Sequence, residues 1–437
     1  MSEKPQNQKK KKRRDSDAKI RRILAILLAL IAICMTVLVI YTLRHSTTDP
    51  TVAEGITKDS APTDASAAAE ATASTEATEV SEATEATEPA DPMLYAAQQT
   101  LAGMTLEEKV YQLFFVTNRE LTGEYYADVA GDATREALEA KPVGGIVFDS
   151  DNIFGREQLT AMIADTQSYS GIPLLIGVEE EGGYNSYLNR IGVTGYYSEM
   201  GVYGDGNESD RIYEIGSEIG AAITEIGFNI DLAPIADSLT NVYNNEIGRR
   251  AFSSDPEITA GLVKQMVRGL RDGGCMSCLK YFPGLSASNM DSRYGAAVSN
   301  QTMEDVQNNL LPFIEGIENG ADMIMVSHLC LPNIVGENRP SDLSPQIVSE
   351  LLREQLGYEG VVMTDSFQKG AISYNYNVGD AAVAAVQAGC DVIYMPDDLT
   401  AAAQAILNAV ENGDLTEERI NESVLRILLL KYANGLQ

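Results

Sequence analysis

Residues 303–366 read MEDVQNNLLPFIEGIENGADMIMVSHLCLPNIVGENRPSDLSPQIVSELLREQLGYEGVVMTDS. Two short apolar runs interrupt this stretch, Met323–Ser327 and Gly360–Thr364. Strands buried on both faces read as continuous apolar runs, so both are strand candidates. Each follows an amphipathic stretch at helical spacing, Met303–Asn319 and Pro345–Leu356, and each stretch is closed by a glycine, Gly320 and Gly357. Glycine past the last helical turn is the usual stop signal. Helix alternating with apolar strand predicts a parallel sheet.

The same alternation continues outward in both directions. Upstream strand candidates are Tyr111–Val116, Gly144–Phe148, Pro173–Val178, Asn229–Pro234 and Met276–Phe282; Asp391–Met395 follows downstream. Helical patterns at Glu208–Ile226, Pro256–Asp272 and Ala381–Ala388 lie between them. Eight strands over residues 93–437 predict an α/β fold, a (β/α)8 TIM barrel with insertions. An open doubly wound sheet is the alternative, but it would place a G-x-G-x-x-G phosphate loop after an early strand, and none is found.

The N-terminal part has a different composition. Residues 1–44 hold eleven Lys/Arg against three Asp/Glu, while the whole chain of 437 residues carries a net charge of −31. The basic segment 1–22 precedes Ile23–Leu43, which is 21 residues without a charge. About 20 apolar residues cross the hydrocarbon core as a helix, and a signal peptide's apolar region is shorter. Residues 23–43 are therefore expected to be a transmembrane helix in the cell membrane, with residues 1–22 cytoplasmic by the positive-inside rule and the barrel outside. Residues 44–92, rich in Ala, Thr, Glu and Ser, offer almost nothing to bury and are expected to form a disordered stalk. So acidic a remainder excludes electrostatic binding of nucleic acid. Five cysteines are too few for a disulfide scaffold, and Cys275-x-x-Cys278 has no second pair to complete a zinc site.

Polar groups collect where the strand candidates end. The third runs into Glu179-Glu180-Glu181 and the fourth ends near Asp237. The fifth holds Lys280 and Tyr281, the sixth runs into His328, the seventh into Asp365, and Asp397 and Asp398 follow the eighth. Active sites of (β/α)8 barrels occupy those C-terminal ends. A carboxylate-rich mouth suits sugar chemistry, which uses a nucleophile and an acid. Metal hydrolysis built on several histidines is excluded, because the chain has two, His45 and His328. No cofactor or metal is expected.

Five stretches, in order, resemble the family 3 glycoside hydrolases, within them the single-domain β-N-acetylglucosaminidases. Leu175-Ile-Gly-Val-Glu-Glu-Glu-Gly-Gly183 resembles the family's apolar strand followed by D-x-E-G-G. Asn229-Ile-Asp-Leu-Ala-Pro-Ile-Ala-Asp237 with Ile247-Gly-Arg-Arg-Ala-Phe-Ser253 resembles its APVxD…IGxRSFS stretch. Lys280-Tyr-Phe-Pro-Gly284, Met325-Val-Ser-His328 with Pro332, and Gly360-Val-Val-Met-Thr-Asp-Ser366 are similar to its K-H-F-P-G, MPAH…P and nucleophile strand. With the anchor expected at residues 23–43, the resemblance implies a glycosidase that hydrolyses O-glycosyl bonds of cell-wall or related glycans by a retaining mechanism. It implies Asp365 as nucleophile and Glu179, Glu181, Arg250, Lys280, Tyr281 and His328 as sugar-binding positions, with carbohydrate as partner. Read on the residues alone, Asp365 could instead cap a helix, Arg250 and Lys280 could pair with the mouth carboxylates, and His328 could be a satisfied core residue.

The departures fall in the pocket. The family's acid/base histidine, in a D-S-H after K-H-F-P-G-H-G, is here Arg293 following Asp291-Ser292. Arginine keeps its proton at any working pH and cannot serve as general acid or base. Tyr281 stands for the family's K-H histidine, Glu179 for the aspartate of D-x-E-G-G, and Tyr187 for an arginine. Either Glu180, Glu181 or Asp291 serves as a substitute acid, or the barrel is catalytically degenerate and binds glycan or a protein partner without turnover.

Overall fold

A computed structural model of the chain describes residues 91–436. Eight short strands run parallel: β1 Phe114–Val116, β2 Gly145–Val147, β3 Leu175–Val178, β4 Ile230–Asp231, β5 Met276–Phe282, β6 Met323–Val326, β7 Val361–Thr364 and β8 Ile393–Tyr394. Each pairs with its neighbours in chain order, and β1 pairs with β8 in the register Phe114↔Ile393. A bridge between Met363 and Val392 joins β7 to β8, with Thr364 N–H donating to the Val392 carbonyl at 2.9 Å. The sheet thus curls into the expected (β/α)8 barrel.

Helices cover the strands because their buried positions recur at helical spacing. Ser209–Glu225 buries Ile212, Ile215, Ile219 and Ile223, and Pro256–Asp272 buries Leu262, Val263, Met266 and Leu270. Inside the barrel the Phe115 ring lies against Gly177, where a Cβ would fall 2.6 Å from the ring's Cζ. A larger residue at 177 would displace the ring.

Two elements differ from the sequence expectation. Residues 111 and 112 belong to a helix, Leu106–Gln112, not to the first strand; a capping box between Thr105 and Glu108 starts it. The pattern Met303–Asn319 divides into Met303–Gln307 and Leu311–Glu318, since Pro312 suits a first helical turn and not an interior. Cys275 and Cys278 are both buried and unpaired. No helix among the described residues is long and apolar enough to cross a membrane; the segments 1–22 and 23–43 and residues 44–90 of the expected stalk lie outside the described residues, while the stalk's last two residues, Asp91 and Pro92, are the cap and the first residue of the helix Pro92–Gly103.

Candidate active site

The mouth is built from two ion-paired groups that meet around Tyr281. The first begins at the end of β3. Glu179 and Glu181 both reach Lys280 Nζ of β5, at 3.2 and 2.5 Å. Arg250, from a short 3-10 turn at Gly248–Arg250, grips Glu181 with Nε at 2.8 Å and Nη2 at 2.7 Å. Such a two-pronged contact holds a carboxylate in one orientation. Burial opposes charge on Glu181, but Arg250 and Lys280 outweigh it and hold its carboxyl far below the usual range. Burial likewise opposes charge on Lys280, and Glu179 and Glu181 override it. From β8, the Tyr394 hydroxyl donates to Glu179 at 3.1 Å.

Glu180 turns away from these two, as alternation along an extended chain requires. Its amide donates to Asp231 at 2.9 Å, while its carboxyl accepts from Leu188 N–H and the Thr194 hydroxyl, each at 3.3 Å. Burial pushes it up to about 7. Asp237 is raised to about 7 by the same cause and is held by the amide and hydroxyl of Ser286, each at 2.6 Å. Both are structural ties beneath the loops.

The second group surrounds Asp365, which follows β7. Its Oδ1 accepts from the Ser366 amide at 2.7 Å and its Oδ2 from Lys369 Nζ at 2.7 Å. Lys369 also donates to Glu246 at 3.0 Å, and Glu246 in turn accepts from the Ser292 amide and hydroxyl at 2.7 and 2.5 Å. Burial works against ionisation of Asp365, yet Lys369 and His328 prevail and keep its pKa lowered. Asp365 caps no helix: the next one, Gly370–Ser373, starts after Lys369. The Tyr281 ring lies between the groups, with Lys369 Nζ 4.9 Å, Lys280 Nζ 5.4 Å and the Arg250 guanidinium 5.6 Å from its centroid. Arg250 also donates to the Tyr281 hydroxyl at 3.0 Å.

Three sequence candidates stand apart from this cluster. His328 is fully buried. Its Nε2 lies 2.8 Å from the Ser366 carbonyl, and its Nδ1 lies 2.9 Å from Asp342, a close charge approach rather than an aligned hydrogen bond. It therefore supports the chain behind Asp365 and does not line the opening. Asp291 is bound by its neighbour Arg293 through Nη2 at 2.5 Å and Nε at 2.9 Å, and the Arg293 side chain is 55% exposed. Asp398 caps the helix Leu399–Asn412 through Ala401 N–H at 2.9 Å.

This arrangement bears on the substitute acid. Glu181 is kept ionised by two cations. Burial raises Asp291, but Arg293 reverses this and lowers it. Glu180 holds a proton near neutrality but faces Leu188 and Thr194. None of the three combines a proton with an open position. Sequence reading missed Glu246, Lys369 and Tyr394. Lys369 and Glu246 had a positional signal, standing four residues after Asp365 and four before Arg250; Tyr394 lies inside an apolar run and had none.

A family model described as the glycosyl hydrolase family 3 N terminal domain matches residues 105–430. The chain is similar to β-hexosaminidase A of Pseudoalteromonas piscicida, 30% identical over 324 residues covering 68% of this chain and 54% of that protein. It is also similar in structure to a family 3 β-N-acetylglucosaminidase from Paenibacillus sp. str. FPU-7, with a TM-score of 0.72, 34% identity, and coverage of 76% of this chain and 63% of that one. A β-N-acetylhexosaminidase from Beutenbergia cavernae aligns at 26% identity with a TM-score of 0.68, over 76% of this chain and 99% of its own. The chain thus spans little more than half the length of the first of these relatives and nearly all of the last. With the barrel, the five ordered stretches and the match over residues 105–430 in agreement, the chain belongs to glycosyl hydrolase family 3.

Proposed function

We propose that the barrel is a retaining β-N-acetylhexosaminidase-like glycosidase, acting on cell-wall or related glycans and held outside the cell membrane by residues 23–43. The observation that carries this reading is Asp365, a buried carboxylate kept ionised at the end of β7, whose partner Lys369 shares the Tyr281 ring with Lys280 and Arg250. A sugar in the mouth would offer its hydroxyls in place of the contacts that Lys280 now makes with Glu179 and Arg250 with Glu181. Asp365 would attack the anomeric carbon, forming a glycosyl-enzyme while the leaving oxygen departs. Water would then release the sugar.

Departure of an unactivated sugar alcohol requires a proton, and no pocket carboxyl is placed to supply one. An aryl leaving group of low pKa leaves without it. Turnover is therefore expected on an activated aryl β-N-acetylglucosaminide and to be lost in Asp365→Ala. Turnover that survives Asp365→Ala would defeat the nucleophile assignment. Arg293 favours the second reading, a glycan binder without turnover. That reading requires that the wild type leave even the activated substrate intact. Arg293→His, with Asp291 beside it to orient the imidazole, would then restore a trace.

A further inference from the structure

Exposed apolar side chains are unevenly distributed over this barrel. Met93 and Tyr95 apart, every exposed large apolar side chain among the described residues lies on a connection leaving the C-terminal end of a strand, from Tyr125 after β1 to Tyr374 after β7. Single exposed apolar residues need no explanation, but their confinement to the face that holds the site does. Three of them, Tyr184, Tyr196 and Val202, line one cleft. The connection after β3 encloses about 640 Å³, lined by Ser186, Asn189, Arg190, Tyr184, Tyr196 and Tyr197 among others. That lies within the roughly 300–1,000 Å³ usual for small-molecule sites.

The cleft wall is rigid where it needs to be. Gly182 bridges to Asn185, whose side chain donates to Glu181 at 3.1 Å, so the turn that carries Glu181 on its inner side carries Tyr184 on its outer side. Gly183, at φ +59°, lies so close to Glu199 that an added Cβ would come within 3.0 Å of that residue's Cα, and the Tyr184 amide donates to Glu199 at 3.1 Å. The Tyr197 hydroxyl is tied to Glu218 at 3.0 Å. Tyr184 and Tyr196 differ: the two residues are 87% and 83% exposed on this fixed frame.

We propose that this cleft binds the sugar units that continue a glycan beyond the one held in the barrel mouth. A pyranose ring presents C–H groups on its faces and hydroxyls at its edge. Two exposed phenol rings on a fixed frame cover the faces, and Ser186, Asn189 and Arg190 meet the edge. Arg190 and Glu199 leave the lining near neutral in charge, which fits an uncharged polyhydroxylated chain better than a strongly basic or acidic partner. The cleft adjoins Glu181, so the proposal rests on the reading that the mouth holds a sugar.

Calorimetry of the full chain with β-1,4-linked N-acetylglucosamine oligomers of one to five units tests it. Affinity should rise about tenfold or more from monomer to tetramer, two aromatic contacts being worth that much. In Tyr184→Ala/Tyr196→Ala the rise should vanish with monomer affinity unchanged, while Tyr184→Phe/Tyr196→Phe keeps it. A length dependence equal in wild type and alanine variant would overturn the proposal. So would oligomers that fail to bind the wild type, or sedimentation showing that the alanine changes abolish self-association instead. Length-dependent binding without turnover of the aryl glycoside would retain the cleft and sink the glycosidase reading alone.

Discussion

Lys369 determines what Asp365 can do. One ammonium lies 2.7 Å from Asp365 and 3.0 Å from Glu246, so removing it leaves two buried carboxylates facing each other. Desolvation and mutual repulsion would then both act to raise Asp365. In Lys369→Met the acid limb of kcat/KM on an activated aryl substrate should move to higher pH, by about 1–3 units. Stability should respond with the opposite sign. In wild type the depressed carboxyl contributes stability that is present above its unfolded pKa and lost as pH falls through the folded one. Once raised, the same carboxyl favours the fold on protonation, so the variant's melting temperature relative to wild type should improve as pH falls. An unmoved limb together with unchanged acid melting would show that Lys369 does not set the charge of Asp365. At this scale Asp365, Arg250 and Lys280 were legible because the family resemblance singles them out. Lys369 and Glu246 were marked only by their four-residue spacing from Asp365 and Arg250, and their role comes from contacts across 123 residues of chain. His328 was placed correctly in sequence just past β6, two residues beyond its end, but its pairing with Asp342 is marked by no local pattern.

Strands were the most legible elements, because a strand inside a barrel is apolar on both faces and its sequence shows this directly. All eight fall within the expected runs, and Met276–Phe282 coincides with its run end to end. Misreadings occurred where a helix carries a continuous buried run, as at Val110–Gln112, whose period is too short to distinguish. The C-terminal helix Glu417–Ala433 holds another feature that hydropathy conceals. Its Lys431 is wholly buried and donates to Gln112 at 2.8 Å, and burial alone lowers its pKa to about 7. An unfolded lysine titrates near 10.4. Between those values the unfolded chain binds more protons than the folded one, so this residue makes stability increase as pH rises from about 7 to 10.4. Lys431→Met removes that slope. The variant's melting temperature relative to wild type should be most favourable at and below pH 7, on the order of a few degrees, and should decline toward pH 10. Parallel melting curves across that range would show that Lys431 stays charged in the fold.

Charge separates the chain into two parts, a cationic N-terminal segment and a strongly acidic remainder. The boundary is the uncharged stretch 23–43, and the first described helix, Pro92–Gly103, is capped by Asp91 through the Met93 and Leu94 amides at 3.0 Å. That helix is tied to the far end of the chain, Thr100 lying 2.7 Å from the Tyr432 hydroxyl, so the barrel's first and last helices close on each other. Protease that reaches residues 44–90 therefore meets a polar, Ala/Thr/Glu/Ser-rich segment first and a hydrogen-bonded helix start only at Asp91. The proposed topology places both on the outer side of the membrane, because Lys and Arg beside a first apolar segment hold that flank in the cytoplasm. Intact cells treated with protease should release a fragment that begins near residue 91 and carries the whole barrel, while an epitope within residues 1–22 survives until the cells are lysed. An outward epitope at 1–22 with a protected barrel would reverse the orientation. It would also remove external cell-wall glycans as substrate, since the sugar-binding face would then lie in the cytoplasm.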